Sequence, residues 1–120
     1  MATVELTRDT FDATIRDGGI VLLDFWAEWC GPCRMFGPVF ERVSERHPDI
    51  VFGKVDTQAE EELAAAFAIS SIPTLMAVRD GVVLHARAGA LPEAALEELI
   101  TKVRETDMGE VRRQLAERTR

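Results

Sequence analysis

Cysteine is almost missing from this chain, with two among 120 residues, Cys30 and Cys33. A disulfide scaffold shows four or more, spread along a short secreted chain, so that class is excluded. Histidine is equally scarce, with only His47 and His85. A structural zinc site wants four Cys or His ligands, usually from a second paired motif. These histidines stand apart, one beside Pro48 and one in a predicted strand. Both read as ordinary surface or edge residues, and no metal is expected. Long apolar runs are also lacking: runs such as residues 19–23 are far below the roughly 20 residues a membrane helix takes. The start, Met1-Ala2-Thr3-Val4-Glu5, has neither the basic residues nor the apolar stretch of a secretory signal. The sequence therefore predicts a cytoplasmic protein with no membrane partner. Basic charge is in deficit, 14 Lys and Arg against 21 Asp and Glu, a net −7. Nucleic-acid binding, which draws on Lys and Arg clusters, has little support.

What is present is an ordinary globular balance, 47 % hydrophobic and 29 % charged, enough for one domain with a real core. No repeat or low-complexity stretch interrupts it. Strand and helix signals alternate along the chain. Residues 4–6 form a short strand candidate, and Thr7 offers an N-cap for a helix carrying Phe11, Thr14 and Ile15, stopped by Gly18-Gly19. The near-continuous apolar run Ile20–Trp26 reads as a central strand covered on both faces, with Asp24 the anomaly inside it. Phe36, Val39, Phe40 and Val43 recur at helical spacing, which predicts a helix over 32–45 with a kink at Pro38. A buried strand over 50–56 and an Ala- and Glu-rich helix over 60–67 follow. Two apolar runs joined by Asp80-Gly81 make a hairpin, expected to add antiparallel edge strands. Pro92 suits the first turn of a last helix with Leu96, Leu99, Ile100 and Val103 as its stripe. The order β-α-β-α-β-α-β-β-α implies an α/β fold with a mixed central sheet and helices on both faces. Residues 106–120 form a separate tail. Asp107 can cap a short helix whose apolar line is Met108, Val111 and Leu115, and the tail's charges nearly cancel.

The chemistry concentrates in Trp29-Cys30-Gly31-Pro32-Cys33. A lone Cys-x-x-Cys is either a zinc half-site or a redox pair, and the missing second ligand pair favours redox. Pro32 suits a first helical turn, which puts Cys30 at the N-cap region. Unpaired N–H groups and the helix dipole stabilise a thiolate there, and the thiolate is the attacking species. Cys33, one turn later, can resolve the mixed disulfide by attacking Cys30.

The run Trp26-Ala27-Glu28-Trp29-Cys30-Gly31-Pro32-Cys33 resembles the active-site signature of the thioredoxin family. The likeness continues through Asp24, Pro38, Lys54, Ser71-Ile72-Pro73-Thr74, Asp80-Gly81 and Gly89-Ala90, and covers about residues 4–105. The resemblance implies a thioredoxin domain over 1–105 followed by an extension over 106–120. It implies Cys30 as nucleophile, Cys33 as resolving thiol, buried Asp24 as proton acceptor and Lys54 as the partner of Asp24. It also implies a cis bond at Pro73 and backbone groups at Ile72 that pair with an extended substrate. Trp29, Gly31, Pro32, Gly89 and Ala90 would complete a shallow groove, while Trp26 packs beneath it. Two departures stand out: Arg34 where a lysine is common, and Ser70 where the family often has a larger or basic residue. The implied activity is protein-disulfide reduction without a bound cofactor. Electrons come from NADPH through a flavin-containing thioredoxin reductase, and the protein acts as a monomer. An oxidase or isomerase of the same fold, or a non-enzymatic chaperone or subunit module, are the alternatives. Gly31-Pro32 between the cysteines favours the reductase, because oxidising relatives tend to carry a histidine next to the second cysteine.

Overall fold

Five strands and five helices make up the computed structural model, which describes residues 2–118. In chain order they are β1 (Thr3–Glu5), α1 (Arg8–Asp17), β2 (Ile20–Trp26), α2 (Gly31–Ser44), β3 (Val51–Asp56), α3 (Glu61–Ala66), β4 (Thr74–Arg79), β5 (Val82–Ala88), α4 (Glu93–Glu105) and α5 (Met108–Arg118). One sheet runs β1-β3-β2-β4-β5. β1 and β2 flank β3 in parallel, and β4 pairs antiparallel with both β2 and β5.

Central placement explains the apolar run in β2. From Val21 to Phe25 every residue is buried, and the alternating side chains feed two separate cores. On one face Leu22, Phe52, Leu75 and Ala77 meet Phe36, Phe40 and Val43 of α2 and Leu96, Ile100 and Val103 of α4. On the other, Val21, Leu23, Phe25, Val55 and Met76 pack with Phe11 of α1 and, at the margin, with Leu63 of α3 and Phe67 just after it. Helices therefore cover both faces. Burying each such side chain is worth about 1.5–3 kcal/mol, so the two clusters dominate the fold.

The hairpin differs from expectation in one respect. β4 is not an edge strand; it lies between β2 and β5, so of the two hairpin strands β5 alone is at an edge. Composition accounts for it: Thr74–Arg79 reads TLMAVR and is buried up to Val78, whereas β5 carries His85 and Arg87 and is largely open. The turn itself has the expected geometry, with φ +53° at Asp80 and +80° at Gly81, the left-handed pair that a tight hairpin turn requires. α2 runs unbroken through Pro38, which lies on its exposed side. Pro92 sits just outside α4 as the N-cap rather than inside its first turn.

Candidate active site

Strand β2 ends at Trp26, and the short connection Ala27-Glu28-Trp29 delivers Cys30 to the N-cap of α2. Pro32 supplies the fixed φ of a first helical turn, where its missing N–H costs nothing. Cys30 keeps extended backbone angles, φ −87° and ψ 114°, so its sulfur folds over the helix start and accepts the Cys33 N–H at 3.2 Å. This is the position at which orphan N–H groups and the helix dipole lower the cost of a thiolate. Cys30 and Cys33 form a disulfide with Cα atoms 5.2 Å apart. They are only 4 % and 5 % exposed and pack with Ala27, Trp26 and Ile72.

The Ile72–Pro73 peptide is cis, and the Ile72 carbonyl oxygen lies 3.7 Å from Cys30 Sγ. With the disulfide closed no S–H is available, so this is a contact; a reduced Cys30 could donate across it. The Gly89 N–H donates to the Pro73 carbonyl at 2.8 Å, with Gly89 at φ +104°. These contacts bring Ile72, Pro73, Gly89 and neighbouring Ala90 to the cysteine end of the sheet. Trp29, 64 % exposed, and exposed Gly31 and Pro32 flank Cys30 along the chain. No atom comes within 4 Å of a Cβ built at Gly31, so the space above it is open to an incoming chain.

Asp24 lies beneath this end, 1 % exposed, with neither carboxylate oxygen hydrogen-bonded among the described residues. Burial pushes its carboxyl up to about 7, against a smaller opposing pull from Lys54. Such a group takes up a proton near neutrality, as a proton acceptor must. Lys54 is the register partner of Asp24 in β3, yet its ammonium forms no ion pair with it among the described residues. Lys54 Nζ instead stands 4.7 Å from the centre of the Trp26 ring, a cation–π placement. A cleft of about 400 Å³ opens beside Cys33 on this flank of α2, lined by Trp26, Arg34, Gly37, Glu41 and Lys54. It is distinct from the Ile72–Pro73 side.

Two features escaped the sequence reading. Met35, 73 % exposed, stands three and four residues beyond Pro32 and Gly31 and so shares their helix face. Its position off the apolar stripe of α2 was the available signal. His47 is not a bare surface residue: its Nε2 meets Glu97 at 2.6 Å and its Nδ1 meets Arg104 at 3.0 Å, at the far end of α2. His85 lies in edge strand β5.

The comparisons agree with this geometry. The thioredoxin family model matches residues 2–102. A Streptomyces coelicolor relative, a thioredoxin 2 by name, is 61 % identical over 116 residues, 97 % of this chain and 87 % of that one. Thioredoxin of Bacillus subtilis is 41 % identical over 103 residues, 85 % of this chain and 98 % of its own. Among solved structures, a mutant thioredoxin from Halobacterium salinarum superposes with TM-score 0.80 at 33 % identity, covering 88 % of this chain and 93 % of that one. A redox pair at a helix start, the sheet order around it and the span of these likenesses lead to one conclusion. The chain belongs to the thioredoxin family, and it is a thiol–disulfide oxidoreductase acting on disulfides without a bound cofactor.

Proposed function

We propose that the protein is a general reductant of protein disulfides in the cytoplasm, working as a monomer and recharged from NADPH by a flavin-containing thioredoxin reductase. The observation that carries this reading is Cys30 at the N-cap of α2, with Cys33 N–H on its sulfur and the Ile72 carbonyl facing it. Gly31-Pro32 between the cysteines supports the direction. Thioredoxins as a class sit at roughly −270 mV, against about −180 mV for protein disulfide isomerase. That gap favours donating electrons by about 4 kcal/mol for a two-electron step.

The chain's residues divide the work. The Cys30 thiolate attacks one sulfur of the target disulfide, and the other target sulfur leaves with the electron pair. Asp24 takes the Cys33 proton, and the resulting thiolate attacks Cys30 Sγ. This closes the Cys30–Cys33 bond, releases the second target thiol and delivers two electrons to the target. Lys54 keeps positive charge near Asp24. The target segment lies extended across Trp29, Gly31, Pro32, Gly89 and Ala90, and pairs with the Ile72 backbone beside Pro73. Residues 1–105 form the catalytic domain, and 106–120 form an extension outside this work.

Insulin reduction with dithiothreitol as donor tests the reading. Cys30→Ser is expected to abolish it, and Cys33→Ser to accumulate mixed disulfides that mass spectrometry can identify. Full turnover by Cys30→Ser would refute the assignment. A measured potential near −180 mV would instead place the protein with the isomerases.

A further inference from the structure

The strand registers set three charged residues in a row across the sheet. Glu5 of β1 is opposite Lys54 of β3, and Lys54 is opposite Asp24 of β2. Residues directly opposite in register share a sheet face, so all three lie on the face that α2 covers. The row runs from the open edge of the sheet, where Glu5 is exposed, to the buried carboxyl under the cysteines. Lys54 ion-pairs with neither carboxylate among the described residues, its ammonium lying over Trp26. One cation therefore acts on two carboxylates at a distance.

We propose that Glu5 is a positioning residue for the proton step: aligned with Lys54 and through it with Asp24, its negative charge offsets the lysine and makes the Asp24 carboxylate a stronger base for the Cys33 proton. The inference rests on the reading of Asp24 as proton acceptor. Neighbouring strands are about 4.8 Å apart, which puts Glu5 about 10 Å from Asp24. At that distance a charge is still felt through protein at physiological salt, though weakened. The direction agrees with the charges: Asp24 is raised mainly by burial, lowered by Lys54 and raised again by Glu5. Glu5 is itself raised, first by burial, with Lys54 opposing and Asp56 adding. The other strand beside Asp24 contributes only Leu75. From α2 and the loop before it, the charged groups near the cleft are Glu28, Arg34 and Glu41. Glu41 is already engaged by the Ala2 N–H and the Thr3 hydroxyl. Glu5, by contrast, has no hydrogen-bond or ion-pair partner among the described residues, so its charge is left to act along the row.

A carboxyl-detected NMR titration of Asp24 in the reduced full chain tests this directly. Glu5→Gln should move the Asp24 midpoint down by about half a pH unit, and Glu5→Lys by about one. Raising the salt to 1 M should shrink both displacements. The acid limb of the pH profile for insulin reduction should move the same way. Midpoints that coincide in all three proteins would overturn the proposal. Asp24→Asn separates the underlying reading: if that variant keeps the acid limb near pH 7, Asp24 is not the acceptor. The NMR midpoints still decide whether Glu5 controls the Asp24 proton.

Discussion

Asp24 is surrounded by apolar side chains in the middle of β2, and its carboxyl titrates at about 7 rather than near 3.8. The folded state thus binds a proton that the unfolded chain releases between these two values. Stability contributed by this group is complete below about pH 3.8 and is lost as pH rises through 7. Asp24→Asn removes the titration. It should leave stability at pH 4 nearly unchanged and raise it at pH 8 by on the order of 2–4 kcal/mol, the shift converted at about 1.4 kcal/mol per unit. Urea unfolding at the two pH values measures the difference, and parallel curves for the two proteins would sink the argument. His47 carries a second residue-scale expectation. Arginine has no acceptor, so the Arg104 guanidinium must donate to Nδ1, which leaves Nε2–H to donate to Glu97. Nitrogen NMR at pH 8 should find the Nε2–H tautomer; the Nδ1–H form would contradict the geometry. Legibility at this scale followed chemistry. Cys30, Cys33 and Asp24 were readable because each breaks its local pattern. His47 was not, because Glu97 and Arg104 are 50 and 57 positions away along the chain and periodicity carries no such information.

Elements were readable wherever hydrophobic period and punctuation agreed. Ile20–Trp26, Thr74–Arg79 and Val82–Ala88 have the bounds that their apolar runs and the Asp80-Gly81 turn implied. Ends set by hydrogen bonds rather than composition moved instead: α2 begins at Gly31 and α3 shrinks to Glu61–Ala66. The inner position of β4 was hidden because a hairpin motif says which strands pair, not which of them meets the rest of the sheet. Arg79 shows how one element stabilises another. From the end of β4 its Nη1 donates to the carbonyls of Val103, Arg104 and Thr106 at 3.0, 3.2 and 3.0 Å. A cation at a helix C-terminus satisfies orphan carbonyls and complements the dipole. Arg79→Met should therefore destabilise the protein by about 1–3 kcal/mol in urea unfolding. It should also speed amide exchange in the last turn of α4. A loss under about 0.5 kcal/mol would mean that solvent serves those carbonyls equally well.

At the scale of the molecule, the redox centre and the extension occupy opposite ends of the strands. Trp26, at the cysteine end of β2, leads into the site, whereas Ile20 at its other end pairs with Arg79 beside the hairpin turn. α5 is tied to that turn: Arg112 meets Asp80 at 3.2 Å, Asp107 caps the helix through the Glu110 N–H, and Met108 is buried. The family match stops at residue 102, while the Streptomyces relative aligns over 116 residues. The extension thus lies beyond the stretch that the family model matches, yet within the length over which that relative aligns. Its helix was legible from Asp107 and the Met108, Val111, Leu115 line; where it docks was not, since the contact depends on the hairpin. Ending the chain after Thr106 keeps the carbonyls that Arg79 holds but removes the buried Met108, worth about 1.5–3 kcal/mol. It also removes an exposed ion pair worth at most about 1 kcal/mol. The shortened protein should unfold at lower urea by about 2–3 kcal/mol of stability, yet reduce insulin at 25 °C within about twofold of the full chain. Distance is the reason, because neither the Cys30–Cys33 pair nor the Asp24 row touches α5. A large loss of turnover in a shortened protein that is still folded would show that the extension acts on the redox end after all, and the separation argued from the strand registers would fail.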